Sequence, residues 1–265
     1  MKKPIHEKKV YSNIREVIED IGTLYTDRTA FSYRIQPRDK EIQKKTYTQL
    51  RDDVRALPTE FIARGVTGKH VALVGKLSYH WILVYYATLS AGGVLVPLDK
   101  EWLAQDLATT GAKAEASFVF CDGDSIEKGR AICEEAGCGE PIALEYGEGT
   151  VDELVALGRV KFNEDSSLYF GQEIDVNKMS LLVFTSGTTG KGKGVMLSLK
   201  NICSDMEQGM YNFRITERTL FALPPHHTFG STVNFIGHFA QGCEIYISSG
   251  LRYILDELKY FKPKH

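Results

Sequence analysis

Leu181-Leu182-Val183-Phe184-Thr185-Ser186-Gly187-Thr188-Thr189-Gly190-Lys191-Gly192-Lys193-Gly194-Val195 decides the fold. Apolar and β-branched residues from Leu181 to Thr185 run straight into a stretch made almost wholly of Gly, Ser, Thr and Lys. The change predicts a buried strand that delivers a donor-rich loop to its carboxyl end, the edge where open α/β sheets bind ligands. Gly187, Gly190, Gly192 and Gly194 permit close approach of a ligand, and successive free N–H groups can converge on an anion. Thr185, Ser186, Thr188 and Thr189 add hydroxyl donors, while Lys191 and Lys193 add positive charge. The chemistry implied is phosphate binding. An ordinary turn between strands needs one or two glycines, not four interleaved with hydroxyls and lysines.

Two better-known phosphate loops fit less well. The triphosphatase pattern G-x-x-x-x-G-K-[ST], started at Gly187, holds through Gly192 and Lys193 and fails at Gly194, where the metal-binding hydroxyl belongs. Its loop also opens directly into a helix, whereas Val195-Met196-Leu197-Ser198 reads as a short strand, with Ser198 capping the helix that follows. The dinucleotide pattern G-x-G-x-x-G fails at Val195.

From Phe184 to Val195 the chain resembles the signature of the adenylate-forming, AMP-binding superfamily: acyl-CoA synthetases, firefly-type luciferases and the adenylation domains of peptide synthetases. The family pattern is roughly aromatic-Thr-Ser-Gly-Thr-Thr-Gly-x-Pro-Lys-Gly-Val, and Gly192 stands where Pro is usual. A second stretch, Leu223-Pro224-Pro225-His226-His227-Thr228-Phe229-Gly230, resembles the family segment Leu-Pro-x-aromatic-His-x-x-Gly. The resemblance implies that His227 stands beside the acyl group and the α-phosphate. His226 takes the aromatic position, and Phe229 and Gly230 complete the substrate segment. Alone, two histidines after two prolines read as a surface turn, and no third ligand for a metal is identifiable. Their place, one helix and one strand beyond the phosphate loop, favours the site reading.

The 265 residues are 43% hydrophobic and 25% charged, enough for one large domain or two lobes. A formal charge of −2 recommends neither nucleic acid nor a membrane surface as a partner. Cys121, Cys133, Cys138, Cys203 and Cys243 form no C-x-x-C pair, which reads as reduced thiols in a cytoplasmic protein without structural zinc. No secretory leader or bilayer-length apolar run is evident.

Taken in order, residues 1–68 read as an opening helix and hairpin. Ile14, Val17, Ile18, Ile21, Leu24 and Tyr25 form an apolar stripe behind Ser12 or Asn13 as cap. Two strands flank the turn at Gln36–Lys40, and Thr48 caps a helix to about Arg64 that Pro58 should kink or split. Residues 69–160 alternate short apolar strands with helices, which predicts parallel pairing through right-handed crossovers. His80 and Trp81 read as packing residues of one such helix. Residues 161–177 read as a polar connector, and a second sheet is expected to begin at Met179 and run to residue 265. The fold class is therefore α/β, with two doubly wound, mainly parallel sheets and flanking helices.

The family's later Tyr-Gly-x-Thr-Glu motif, ribose-binding aspartate and mobile carboxyl-terminal lysine have no counterpart here. Tyr146-Gly147-Glu148-Gly149-Thr150 resembles the first of these but is broken by Gly149 and lies on the wrong side of the loop. The chain is thus expected to be the amino-terminal part of a longer enzyme, inactive alone. For that parent the resemblance implies ATP, Mg²⁺ and coenzyme A. A carboxylic acid becomes an acyl-adenylate and passes to coenzyme A or a carrier-protein thiol. Lys193 and residues 185–194 would hold the phosphates, and Lys193 and His227 carry the catalytic role. His227 stands where amino-acid-activating domains carry aspartate, so an uncharged fatty or aryl acid is favoured. A phosphate-binding module without catalysis and an unrelated triphosphatase remain as alternatives.

Overall fold

A computed structural model describes residues 10–145, 149–185, 193–212, 217–227 and 237–264. Helix α1 (Ile14–Leu24) starts at Asn13, whose side chain accepts from Glu16 N, and buries Ile14, Val17, Ile18 and Ile21. Strands β1 (Thr29–Tyr33) and β2 (Gln43–Thr46) pair antiparallel. Helix α2 (Tyr47–Ala63) is capped two residues before the expected Thr48. Thr46 is the cap, in a reciprocal box with Gln49 that satisfies two backbone donors at once. Pro58 does not divide α2. Val54, Leu57 and Phe61, on both sides of it, are buried in the same core and hold the helix as one span.

The alternation then proceeds as β3 (His70–Val74), α3 (Tyr79–Ser90), β4 (Val94–Leu98), α4 (Ala104–Lys113), β5 (Ala116–Cys121), α5 (Ile126–Ala136) and β6 (Ile142–Ala143). Helix α6 (Val151–Glu164) and the short α7 (Ser167–Phe170) occupy much of the stretch expected to be a connector. Arg159 and Lys161 extend α6 because each reaches a buried carboxylate of α2: Arg159 to Asp53 at 2.6 Å, Lys161 to Glu60 at 2.5 Å. Next come β7 (Met179–Thr185), β8 (Lys193–Ser198), α8 (Leu199–Asn212), β9 (Arg218–Phe221), α9 (His238–Ala240), β10 (Glu244–Ile247) and α10 (Ile254–Phe261).

Among the described residues the strands form two sheets, in the orders β6-β5-β3-β4-β7-β8 and β2-β1-β10-β9. Pairing is parallel except for β7 with β8 and β1 with β2. One expectation needs correction: the second sheet does not begin at Met179. Strand β7 pairs with β4 and completes the first sheet, because Leu181, Leu182 and Val183 are apolar enough to be buried there. The second sheet instead joins the opening hairpin to β9 and β10, far along the chain.

Helix α3 is buried along its whole length, and its core cluster contains residues of both sheets, Phe31 and Ile245 from one and Leu73 and Leu95 from the other. An apolar surface all round is what a helix enclosed between layers requires. Trp81 is a packing residue, 1% exposed and stacked on Tyr85.

Candidate functional site

The two sheets present their carboxyl edges to a common cleft of about 500 Å³. It is lined by segments that leave β1, β3, β4, β9 and β10: residues 33–37, 75–80, 99–101, 222–227 and 247–251. Beyond β3 the chain turns toward β4, and beyond β5 it turns the opposite way toward β6, so the two chains diverge past Gly75 and Asp122. Divergence of that kind opens a crevice in a doubly wound sheet. Asp122, 2% exposed, accepts a hydrogen bond from Lys76 N at 2.7 Å. A Cβ on Gly75 would lie 3.1 Å from that carboxyl, so glycine is what lets the loop close down on it.

The described ends of the expected phosphate loop, Thr185, Lys193 and Gly194, belong to the neighbouring β7–β8 pair and are not among the residues that line the cleft. β7 and β8 pair with Thr185 opposite Lys193 and Phe184 opposite Gly194, and the Thr185 hydroxyl reaches Lys193 O at 3.4 Å. Leu95 pairs with Leu181, so β7 runs beside β4, and Thr185 and Asp99 lie at and just past the carboxyl ends of these neighbouring strands. Lys193 and Gly194 are exposed there. Ser186, Gly187, Thr188, Thr189, Gly190, Lys191 and Gly192 lie outside the described residues, as do Phe229 and Gly230.

His226 and His227 are on the cleft wall, with ring centroids 4.4 Å apart. His226 Nε2 lies 3.6 Å from Asp99 Oδ2, which ties the histidine segment to the strand beside β7. Burial lowers the His226 pKa and the neighbouring His227 lowers it further, while Asp99 only partly opposes them. The folded state therefore holds this proton less tightly than the unfolded chain, and stability falls as pH drops below about 6.5 toward the lowered value. His226→Gln is expected to flatten that slope: its melting temperature should fall less than the wild type's between about pH 7 and pH 5.5. Parallel melting curves would remove His226 as the source.

Several cleft residues are not among those singled out by sequence. Asp99, Lys100 and Glu101 follow the apolar run of β4, and the Lys100 ammonium lies 2.8 Å from Glu101, which raises its pKa. A charged cluster directly after a buried strand is a signal that could have marked them. His80 also lines the cleft: it is 8% exposed, and Nε2 lies 2.9 Å from Asp152 Oδ1. That hydrogen bond holds the Asp152 carboxyl below its ordinary value. Among the described residues no group of three or more His, Cys, Asp or Glu side chains is placed to hold a metal ion. No helix among them is long and apolar enough to cross a membrane.

A two-sheet α/β domain with a cleft at both carboxyl edges, a Gly/Thr/Lys hairpin beside it and paired histidines on its wall defines a ligand-binding domain of nucleotide-handling type. The AMP-binding enzyme family matches residues 19–264, and the chain belongs to that family. Human medium-chain acyl-CoA ligase ACSF2, mitochondrial, is 25% identical over 236 residues, covering 77% of this chain and 38% of the relative. The probable CoA ligase CCL9 of Humulus lupulus is 26% identical over 214 residues, covering 78% of this chain and 40% of the relative. This chain thus spans about two fifths of the length of such relatives. Among solved structures, ATP-bound MatB from Rhodopseudomonas palustris superposes with a TM-score of 0.73 at 25% identity, covering 93% of this chain and 48% of that one. The long-chain-fatty-acid-CoA ligase FadD1 from Archaeoglobus fulgidus reaches 0.79 at 17% identity, covering 99% and 52%, and supports the fold.

Proposed function

We propose that this chain forms the acid- and ATP-binding part of a ligase that activates a carboxylic acid as its acyl-adenylate and transfers it to coenzyme A. The observation that supports the reading best is the cleft at the carboxyl edges of both sheets, with His226 and His227 on its wall and Asp99 3.6 Å from His226. An anionic triphosphate and an acid with a hydrocarbon tail need such neighbouring environments. Exposed Lys193 supplies charge for the β- and γ-phosphates, and Ile35, Leu77, Leu223 and Leu251 give the cleft apolar wall for a fatty or aryl tail. Five free cysteines fit a reducing, cytoplasmic setting.

In this reading an acid oxygen attacks the α-phosphorus as the bond to pyrophosphate breaks, and the thiol then displaces AMP from the acyl carbon. Positioning and charge neutralisation supply most of the rate in such phosphorus chemistry. His226, kept neutral by burial, leaves the Asp99 carboxylate uncompensated and steers the acid's own negative charge away from that end and toward His227. The described residues contain no magnesium-binding cluster, and no step is assigned to the metal.

Lys193→Ala is expected to weaken ATP binding roughly ten- to hundredfold, the loss typical of one charged hydrogen bond. A titration at fixed ionic strength showing unchanged affinity would remove Lys193 from the phosphate site. The proposed function itself is tested by acid-dependent ATP–pyrophosphate exchange, run on this chain and on the longest protein its reading frame encodes. Exchange with fatty or aryl acids but not amino acids supports it. Absence of exchange with every acid in the longer protein would sink it.

A further inference from the structure

The wall of the cleft formed by the second sheet carries two polar groups that nothing among the described residues satisfies. Arg34 follows β1, and Ser249 belongs to the loop after β10; both line the cleft. The two strands are parallel neighbours with Ser32 opposite Tyr246, so Arg34 and Ser249 both follow the carboxyl ends of adjacent strands. Arg34 Nε and Ser249 Oγ are both buried from solvent without a hydrogen-bond partner. An unmatched buried donor is costly, more so if charged, so two of them lining one ligand-sized cleft call for a partner that arrives from outside.

The neighbourhood holds these groups in place without satisfying them. The Arg34 guanidinium lies 5.0 Å from the centre of the Tyr260 ring on α10, a contact that orients the cation but accepts no N–H bond. Other cations of the cleft have carboxylates at hand: Lys76 has Glu145 at 3.9 Å and Lys100 has Glu101 at 2.8 Å. Arg34 forms no ion pair among the described residues. The loop that bears Ser249 is pinned by Glu257, which is 1% exposed and accepts from Ser248 Oγ at 2.6 Å and from Ser249 N at 2.9 Å. Glu257 thereby takes the Ser248 hydroxyl and the Ser249 amide, Gly250 N donates to Ser248 Oγ, and the Ser249 hydroxyl is left unclaimed.

We propose that Arg34 and Ser249 form a subsite for an oxyanion, carboxylate or phosphate, carried by the molecule that occupies the cleft. A guanidinium and a hydroxyl on one wall match two oxygens of such a group, and the fixed planar donor of Arg suits it better than an ammonium would. The oxyanion has two sources: a carboxylate at the far end of the acid, or a phosphate on a second ligand.

The test is calorimetric titration of the chain with inorganic phosphate, with adipate, and with adipamide as the uncharged counterpart of adipate. Phosphate or adipate is expected to bind while adipamide does not. Tight binding of adipate alone names a carboxylate on the acid, and binding of phosphate names a phosphorylated ligand. Arg34→Gln should lower the affinity about tenfold or more and Ser249→Ala about threefold, with Arg34→Lys intermediate. Ser249→Ala deletes an atom that makes no bond in the protein, so it reports on the subsite even if an Arg34 variant loses its fold. Failure of both anions to bind, or equal binding by wild type and both Arg34→Gln and Ser249→Ala, overturns the proposal. No nucleotide or turnover enters the measurement, so its outcome is independent of the exchange assay.

Discussion

Gly158→Ala lowers the thermal unfolding midpoint by about 6–12 °C, the equivalent of roughly 3 kcal/mol in a chain of this size. Gly158 sits on α6 where that helix crosses α2, and a Cβ built on it would lie 2.0 Å from Ala56 O and 2.7 Å from Ala56 C. The obstacle is backbone, which cannot rotate aside as a long side chain would. Accommodating a single methyl group therefore means parting two helices, with loss of the packing around Leu57, Leu154 and Val155. Gly139→Ala is the control, since nothing lies within 4 Å of its added carbon, and it should melt with the wild type. A Gly158→Ala midpoint within about 2 °C of wild type would show that the helices separate at little cost.

Asp53→Ala costs about 2–3 kcal/mol of folding free energy, read from urea denaturation. Asp53, 5% exposed, accepts from Tyr79 OH at 2.8 Å and faces Lys45 at 3.0 Å and Arg159 at 2.6 Å. Both cations are partly exposed and return to water when the carboxylate goes, so their share is small. Tyr79 has no such escape: burial holds its phenol protonated, with a pKa well above the ordinary value, and its hydroxyl would lose this acceptor. Because Tyr79 lines the cleft and stacks on Tyr33 at 5.7 Å, the substitution also loosens the wall that faces the ligand. Asp53→Asn keeps an oxygen for Tyr79 and should recover much of the loss. A cost below about 0.5 kcal/mol for the alanine variant would show that Tyr79 finds another partner.

How much of this could be read from the chain depended on whether the signal was local. The strand-to-glycine transition at Thr185, the helix from Tyr79 to Ser90 and the parallel alternation from residue 69 are written in consecutive residues, and they stand where periodicity puts them. Sheet membership is not local. Nothing within β7 says that Leu181 will pair with Leu95, and the composition of β1 does not reveal β10 as its neighbour. The cap of α2 fell on Thr46 because Gln49 is at the spacing that closes a capping box, a cue available in the sequence. Of the residues that line the cleft, His226 and His227 were legible as motif residues. Arg34 and Ser249 were not, since each becomes notable only through what folding fails to bring beside it, whereas Asp99 had a local cue, the charged cluster after β4, that went unused.

The joining of β1 to β10 has a consequence for the order of assembly. The strands of the first sheet lie within residues 70–198, whereas Phe31 must wait for Ile245, more than two hundred residues away. Closing so long a loop is entropically expensive before its contacts repay it. On the ribosome the opening hairpin emerges first yet completes its sheet last, after β9 and β10 have left the exit tunnel. In that interval the apolar Phe31 lacks its final neighbours, and the nascent chain passes through its most aggregation-prone stage. The cleft, whose walls come from both sheets, therefore forms only after β10 has paired with β1, and ligand binding reports on that pairing.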